Sequence, residues 1–373
     1  MFTQAEQHPL DALPSMTIAF SSRNPRCNQL RQYIRSVLVW RRTGLEACTA
    51  PDLRDLSAML KRILRRLAER NYYTARALYL RGLKQEHLKY TRPPVLVFTM
   101  GKVGSFTIHS SLRAAKAELD MPIYNTHFLA DKRGFTREKE NKEYFRTELH
   151  HRTLRSWQTQ FCRSLLDTDR RKGKRWKVVT LVREPVSRSV SEFFENLVVL
   201  DQNASGEVMR IRSRFQGYEI PPQGNFEMEI RSDEVCKLFP VFFDWYQCHM
   251  KEHERFFQEE LEPMLGIDVL GENFSKTKGY HVYRGDFVDL LVIRLESLRD
   301  CAREAFHTFL GLSDFVFTDA NVGAKKKYAK LYQEFTRSIT FPKRFPDEIY
   351  ASAYVKHFYT VDEIAKFKKK WSG

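Results

Sequence analysis

The chain has 373 residues, 42% of them hydrophobic and 13% aromatic, which is enough for a substantial core and excludes a disordered or low-complexity polypeptide. A formal net charge of +16 points to an anionic partner, whether nucleotide, acidic glycan, nucleic acid or membrane surface, without choosing among them. The absence of an eighteen-residue apolar run, of a cleavable leader and of any Cys-x-x-Cys pair among the six cysteines argues against a membrane span, a zinc site and a disulfide framework, and predicts a cytoplasmic protein with reduced thiols.

Residues 1–93 contain no phosphate-binding loop. Leu53, Leu56, Leu60, Ile63, Leu64 and Leu67 recur at helical spacing after Asp52, and Arg31 to Arg42 form a shorter amphipathic segment, with Lys and Arg dense on the opposite face. This predicts a helical, basic N-terminal extension. A helical cap packed on the core, with its charged face in water, is favoured over a surface that meets an acidic polymer or the inner membrane. Arg92-Pro93-Pro94 marks the boundary with a second domain, 94–373.

That domain opens with Val95 to Phe98, an apolar run without polar alternation, as expected of a short strand covered on both faces in a parallel sheet. Ile108, Leu112, Ala115 and Leu119 then recur at helical spacing, with Ser105 or Thr107 as the predicted cap. The loop between them, Gly101-Lys102-Val103-Gly104-Ser105-Phe106-Thr107, lies at the amino end of a helix, where unpaired N–H groups and the helix dipole favour an anion. It departs from the Walker A pattern, in which lysine follows the last glycine. Here Lys102 comes first and two hydroxyls follow, an order that can bind an anionic group and stabilise a leaving oxygen without a metal. Taken alone, the same residues also read as a βα turn with an exposed lysine.

Met121 to Leu129 predicts a second strand ending in His127, and a satisfied histidine at a sheet edge is as good a reading of that residue as a functional one. Asp131 to Arg175, highly charged with Trp157 and Phe161 interspersed, predicts helices over the sheet with a basic rim. A second strand-loop-helix follows. Val178 to Val182 end at Arg183, Pro185 stops the strand, Ser187 is the predicted N-cap, and Val190, Phe193, Phe194 and Leu197 supply an apolar helix face. Arg183 at the strand's carboxyl end and Ser191 one turn into the helix can point into one crevice, and two such loops on neighbouring strands could hold both ends of a nucleotide. The competing reading pairs Arg183 with Glu184 or Glu192 on a solvated face. Further on, Arg210 to Glu229, with Pro221-Pro222, reads as a mobile loop; His249 and His253 read as solvent-facing; Leu290 to Leu295 predicts another buried strand; and Arg294 with Glu296 reads as a structural ion pair.

The two loops resemble those of sulfotransferases that use 3′-phosphoadenosine 5′-phosphosulfate (PAPS): Lys102-x-Gly104-Ser105-x-Thr107 matches the loop that holds the 5′-phosphosulfate, and Arg183-Glu184-Pro185-x-x-Arg188-x-x-Ser191-x-Phe193-Phe194 matches the segment that binds the 3′-phosphate. Asn321-Val322-Gly323-Ala324-Lys325-Lys326-Lys327-Tyr328, Leu331 to Phe335 and Tyr354 to Tyr359 resemble the bacterial family of putative capsular polysaccharide synthesis proteins, itself similar to sulfotransferases. The resemblance runs from about Pro94 to the C-terminus. It implies an α/β fold, a P-loop-like parallel sheet flanked by helices as in sulfotransferases, with the helical extension in front. It also implies transfer of a sulfuryl group from PAPS to a carbohydrate hydroxyl, with no metal. Lys102 and His127 would be catalytic, the histidine as base, and Lys102, Val103, Gly104, Ser105, Phe106, Thr107, Arg183, Ser191 and Lys326 would bind the donor. The expected partners are a carbohydrate acceptor, acidic or neutral, from a capsular or other cell-surface polysaccharide, and peripheral contact with the inner membrane or the polysaccharide assembly machinery; nucleic acid is not expected. A nucleotide-dependent phosphotransferase and a non-catalytic acidic-glycan binder are the alternatives; the former lacks an apolar strand ending in an Asp suited to hold magnesium beside the first loop.

Overall fold

The structure, a computed structural model, describes residues 71–130, 150–203, 205, 207–213, 226–318, 326–342 and 344–372. The chain divides into two compact units, Met1–Ala68 and Glu69–Gly373, and every described residue lies in the second. The helical segments read at Arg31–Arg42 and Leu53–Leu67 fall outside the described residues. So do Asn321 to Lys325.

The strands are β1 (Val95–Phe98), β2 (Ile123–Thr126), β3 (Trp176–Val182), β4 (Leu197–Gln202), β5 (Val208–Ser213), β6 (Glu227–Arg231), β7 (Tyr280–Arg284) and β8 (Val288–Arg294). The helices used below are α1 (Tyr72–His87), α2 (Ser105–Ala114), α3 (His150–Arg171), α4 (Pro185–Glu195), α5 (Phe239–His249), α6 (Leu298–Leu310), α7 (Ala329–Ser338), α8 (Arg344–Tyr350), α9 (Ala353–Phe358) and α10 (Val361–Ser372). Among the described residues no helix is long and apolar enough to cross a membrane.

The main sheet has the order β2-β1-β3-β8-β7, with the first four strands parallel and β7 antiparallel to β8. All four residues of β1 and all seven of β8 are buried, and only Lys177 of β3 is partly exposed, which is why these strands read as continuous apolar runs. The two charged residues of β8 are both paired, Asp289 with Arg175 and Lys177, each at 2.8 Å, and Arg294 with Glu363. Helices α2 and α3 pack at the β1–β2 end and α6 at the β7–β8 end, so the chain is a mixed α/β protein with a parallel sheet flanked by helices. From β1 the chain crosses to β2 on one side and then to β3 on the other. The carboxyl ends of β1 and β3 therefore face a topological switch point, the crevice where open α/β sheets bind ligands.

Several local expectations are corrected. Arg210 to Glu229 is not a single loop: its two ends lie in the antiparallel strands β5 and β6, whose register pairs Arg210 with Glu229. Its alternation of Met209, Ile211 and Ser213 onto the buried side is that of a half-covered strand. His249 and His253 are both buried, the first with Nδ1 on the Trp245 carbonyl and its ring stacked on that indole, the second against Tyr354. Arg294 pairs with Glu363 of α10 at 2.8 Å rather than with Glu296, which faces the second loop instead. Finally, α1 lies ahead of Arg92-Pro93-Pro94 yet belongs to the same compact unit, because it covers Trp157 of α3: the indole N–H donates to Tyr72 Oη at 3.2 Å, and Arg76 donates to Gln160 at 2.8 Å.

Candidate functional site

Loop one is shaped by two left-handed residues. Lys102 has φ +65° and Gly104 φ +86°. A Cβ at Gly104 would sit 3.0 Å from Leu295 Cδ1, so both the backbone angle and the approach of that side chain call for glycine. Gly104, not Ser105 or Thr107, is the N-cap of α2, and it offers no side chain to the helix end. The first intrahelical bond runs from Ile108 N–H to the Gly104 carbonyl, which leaves Ser105, Phe106 and Thr107 as the first turn. Val103 and Ser105 are buried, whereas the Phe106 ring is 52% exposed beside the loop.

Loop two begins where β3 ends. Pro185 takes the first helical position of α4 and Glu184 the N-cap, its carboxylate accepting from Val186 N–H at 2.8 Å and Ser187 N–H at 2.7 Å; Ser187 is therefore not the cap. The Glu184 carboxylate also accepts from the Tyr350 hydroxyl and from Trp371 Nε1 at 3.4 Å, and the Glu184 N–H donates to Glu296 at 2.8 Å. The Tyr354 hydroxyl accepts from the Arg183 N–H at 3.1 Å and donates to the Arg183 carbonyl at 3.0 Å, fixing both backbone groups of one residue. With Glu184 engaged as a cap and Glu192 paired to Arg188 at 2.8 Å, the alternative ion pair for Arg183 does not form. Its guanidinium instead donates to the Lys102 carbonyl at 2.9 Å and so joins the two loops across the switch point.

Beneath them, Arg188 is almost fully buried. Its Nε donates to the Gly101 carbonyl at 3.2 Å, while Nη2 meets Glu192 at 2.8 Å and Glu252 at 3.3 Å. Above them, Glu195 at the end of α4, one turn beyond Ser191, meets Lys102 at 3.2 Å and also pairs with Lys326. Lys102, Lys326, Arg183 and the α4 face that carries Ser191 thus converge. Burial lowers the proton affinity of Lys102, against the pull of Glu195. Burial works to raise the Glu195 carboxyl, but Lys102 and Lys326 hold it down at about 2.

His127 follows β2 directly. Because Phe98 and Thr126 are register partners, the next residues meet as well, and His127 Nδ1 lies 2.7 Å from the Thr99 carbonyl oxygen. A carbonyl only accepts, so Nδ1 carries the proton and Nε2 has the free lone pair. Desolvation brings the imidazole down to about 4; the Thr99 hydrogen bond opposes the shift, and the charges of Arg155, Lys102 and Arg188 add to it. The segment just beyond is held by buried Glu260, which accepts from Leu129 and Ala130 N–H, each at 2.8 Å, from a π-helical turn at Phe256–Leu261.

The motif spacing does not reach Glu195 or Glu260, although Glu195 stands i+4 from Ser191; Tyr328 and Tyr354 lie in the stretches that resemble the capsular family, and Glu296 reads as a partner of Arg294, but the sequence assigns none of the three to the site. Chemically the arrangement can receive an anion, with three cations on one side and a neutral, proton-accepting imidazole nearby. The family model described as putative capsular polysaccharide synthesis protein matches residues 230–360. No curated protein and no solved structure matches the chain.

Proposed function

We propose that this chain is a sulfotransferase that moves a sulfuryl group from PAPS to a hydroxyl of a carbohydrate, in a capsular or other cell-surface polysaccharide or its precursor. The observation that carries this reading is the bond from Arg183 Nη1 to the Lys102 carbonyl, which joins two anion-binding strand-to-helix loops at one switch point. The similarity of residues 230–360 to the capsular polysaccharide family favours a carbohydrate acceptor. The cradle also fits the donor on its own terms: Glu195 already presents a carboxylate to Lys102 and Lys326, and the Arg183 guanidinium has no carboxylate partner among the described residues.

The donor supplies an activated sulfuryl group on a phosphate leaving group. Lys102 places a cation where charge grows on the leaving oxygen, and the first-turn N–H groups of Ser105, Phe106 and Thr107 orient the 5′ end. Arg183 and Ser191 hold the 3′-phosphate, and Lys326, which shares the Glu195 carboxylate with Lys102, joins Lys102 on the leaving oxyanion. His127 Nε2 takes the proton of the acceptor hydroxyl, its tautomer fixed by the Thr99 carbonyl. The inner-membrane or assembly-machinery contact is carried by the net positive charge of the chain.

The test is the melting temperature with adenosine 3′,5′-bisphosphate against ATP with magnesium. At a hundred times its dissociation constant, the bisphosphate should stabilise the fold by about 2.7 kcal/mol. The shift should vanish in Arg183→Ala. A shift with ATP and magnesium alone would replace this reading with a phosphotransferase.

A further inference from the structure

Three donors converge on one carboxylate oxygen. Glu195 Oε2 lies 3.2 Å from Lys102 Nζ, pairs with the Lys326 ammonium, and accepts from the Tyr328 hydroxyl at 3.0 Å. Two ammoniums and a hydroxyl around one oxygen form the donor set that a phosphate or sulfate oxygen takes. Yet the acceptor here is a side chain on the last residue of α4, 42% exposed, so it can rotate into water without unpacking the core. We infer that Glu195 Oε2 occupies the seat of the ligand's oxyanion, that Tyr328 is the third donor to that oxyanion, and that an incoming anion displaces Glu195.

The electrostatics support the exchange. Without a counter-charge the two lysines would repel each other, and the carboxylate between them is fully ionised at neutral pH despite its partial burial. Glu195 therefore holds the seat assembled while no ligand is present and competes with whatever anion arrives. Tyr328 is held in place by its ring packing on Phe194 of the same helix, so the hydroxyl does not leave with the carboxylate. The identity of the ligand rests on the proposed function, but the seat itself requires only an oxyanion.

The probes are pyrophosphate and adenosine 3′,5′-bisphosphate, with affinities measured by calorimetry. Glu195→Gln keeps the side-chain shape and removes the charge, and should bind pyrophosphate roughly fivefold more tightly or better. Glu195→Ala should change affinity in the same direction. The gain should disappear in Glu195→Gln with Lys326→Ala, and Tyr328→Phe in the Glu195→Gln background should weaken binding severalfold. Equal or weaker pyrophosphate binding in both Glu195 variants overturns the inference. If pyrophosphate gains while the bisphosphate fails to bind any variant, the displaced carboxylate stands and the sulfotransferase reading falls. If the bisphosphate binds wild type and both Glu195 variants alike, the reverse holds.

Discussion

A neutral imidazole whose Nδ1 proton is committed to the Thr99 carbonyl has one option left, to accept at Nε2. With its pKa drawn down to about 4, His127 keeps that lone pair across the neutral range, so turnover at saturating donor should stay level from pH 8 to pH 6. An acid limb centred near 6.5 would overturn the depressed pKa of His127 rather than its role as base. The same shift bears on stability. His109, His127 and His357 are pushed down to about 4 and His253 to about 3, all chiefly by burial, and each binds its proton more tightly when unfolded. Below 6.5 the unfolded chain therefore takes up protons that the folded chain does not, and stability falls as the pH drops. Buried His253 alone would contribute up to about 1.4 kcal/mol per pH unit in that window. Melting temperatures at pH 7, 6 and 5 should decline in that order; a flat series would refute the linkage. Arg188 makes a second claim at this scale. Replacing it with Met removes the cation that buried Glu192 and Glu252 share, and should cost about 3–5 kcal/mol by urea unfolding, with partial recovery on adding Glu192→Gln. Residues of this kind were the least legible in the sequence. Arg188 is visible in its motif, but the Glu252 partner lies 64 positions away, and no local period encodes such a pairing.

The elements were far easier to read. Strands β1, β3 and β8 are apolar runs with almost no polar alternation, and both loops are short, contiguous and placed at strand-to-helix junctions. What the pattern missed were choices in which tertiary contact overrode a general preference. At the start of α2 the preference for a Ser or Thr cap yields to Gly104, because the turn needs φ +86° and Leu295 leaves no room. This can be tested against an internal control. Gly266 also has positive φ, +68°, but nothing lies within 4 Å of a Cβ there. Gly266→Ala should cost about 1 kcal/mol from backbone strain alone, and Gly104→Ala should cost more and also weaken binding of the bisphosphate. Equal losses would show that the Leu295 contact is of no consequence. The prolines at 221 and 222 likewise drew the eye from the alternation in β5, which places Met209 and Ile211 inside.

For the whole molecule, the matched segment packs around both loops. Residues 230–360 contain neither loop, yet they supply Glu252 beneath loop one, Glu260 beyond His127, and Glu296, Tyr350 and Tyr354 around Arg183 and Glu184. The compact unit also reaches back past the Pro93-Pro94 boundary to Glu69, since α1 closes over Trp157. A chain beginning at Glu69 should therefore unfold cooperatively near the full-length melting temperature. One beginning at Pro93 should lose several kcal/mol, about what removing large aromatic packing costs. If the two truncations melt alike, α1 does not belong to the folding unit.

The contact between Trp371 and Glu184 also bears on the order of synthesis. The indole N–H reaches the cap of α4, while the Trp371 carbonyl accepts from the Phe341 N–H at 2.7 Å, so residues near 371 fasten a loop translated almost two hundred codons earlier. The nascent chain thus carries the second loop without this partner until Trp371 has been made. A chain cut short before Trp371 would carry every strand of the sheet and a second loop lacking this partner.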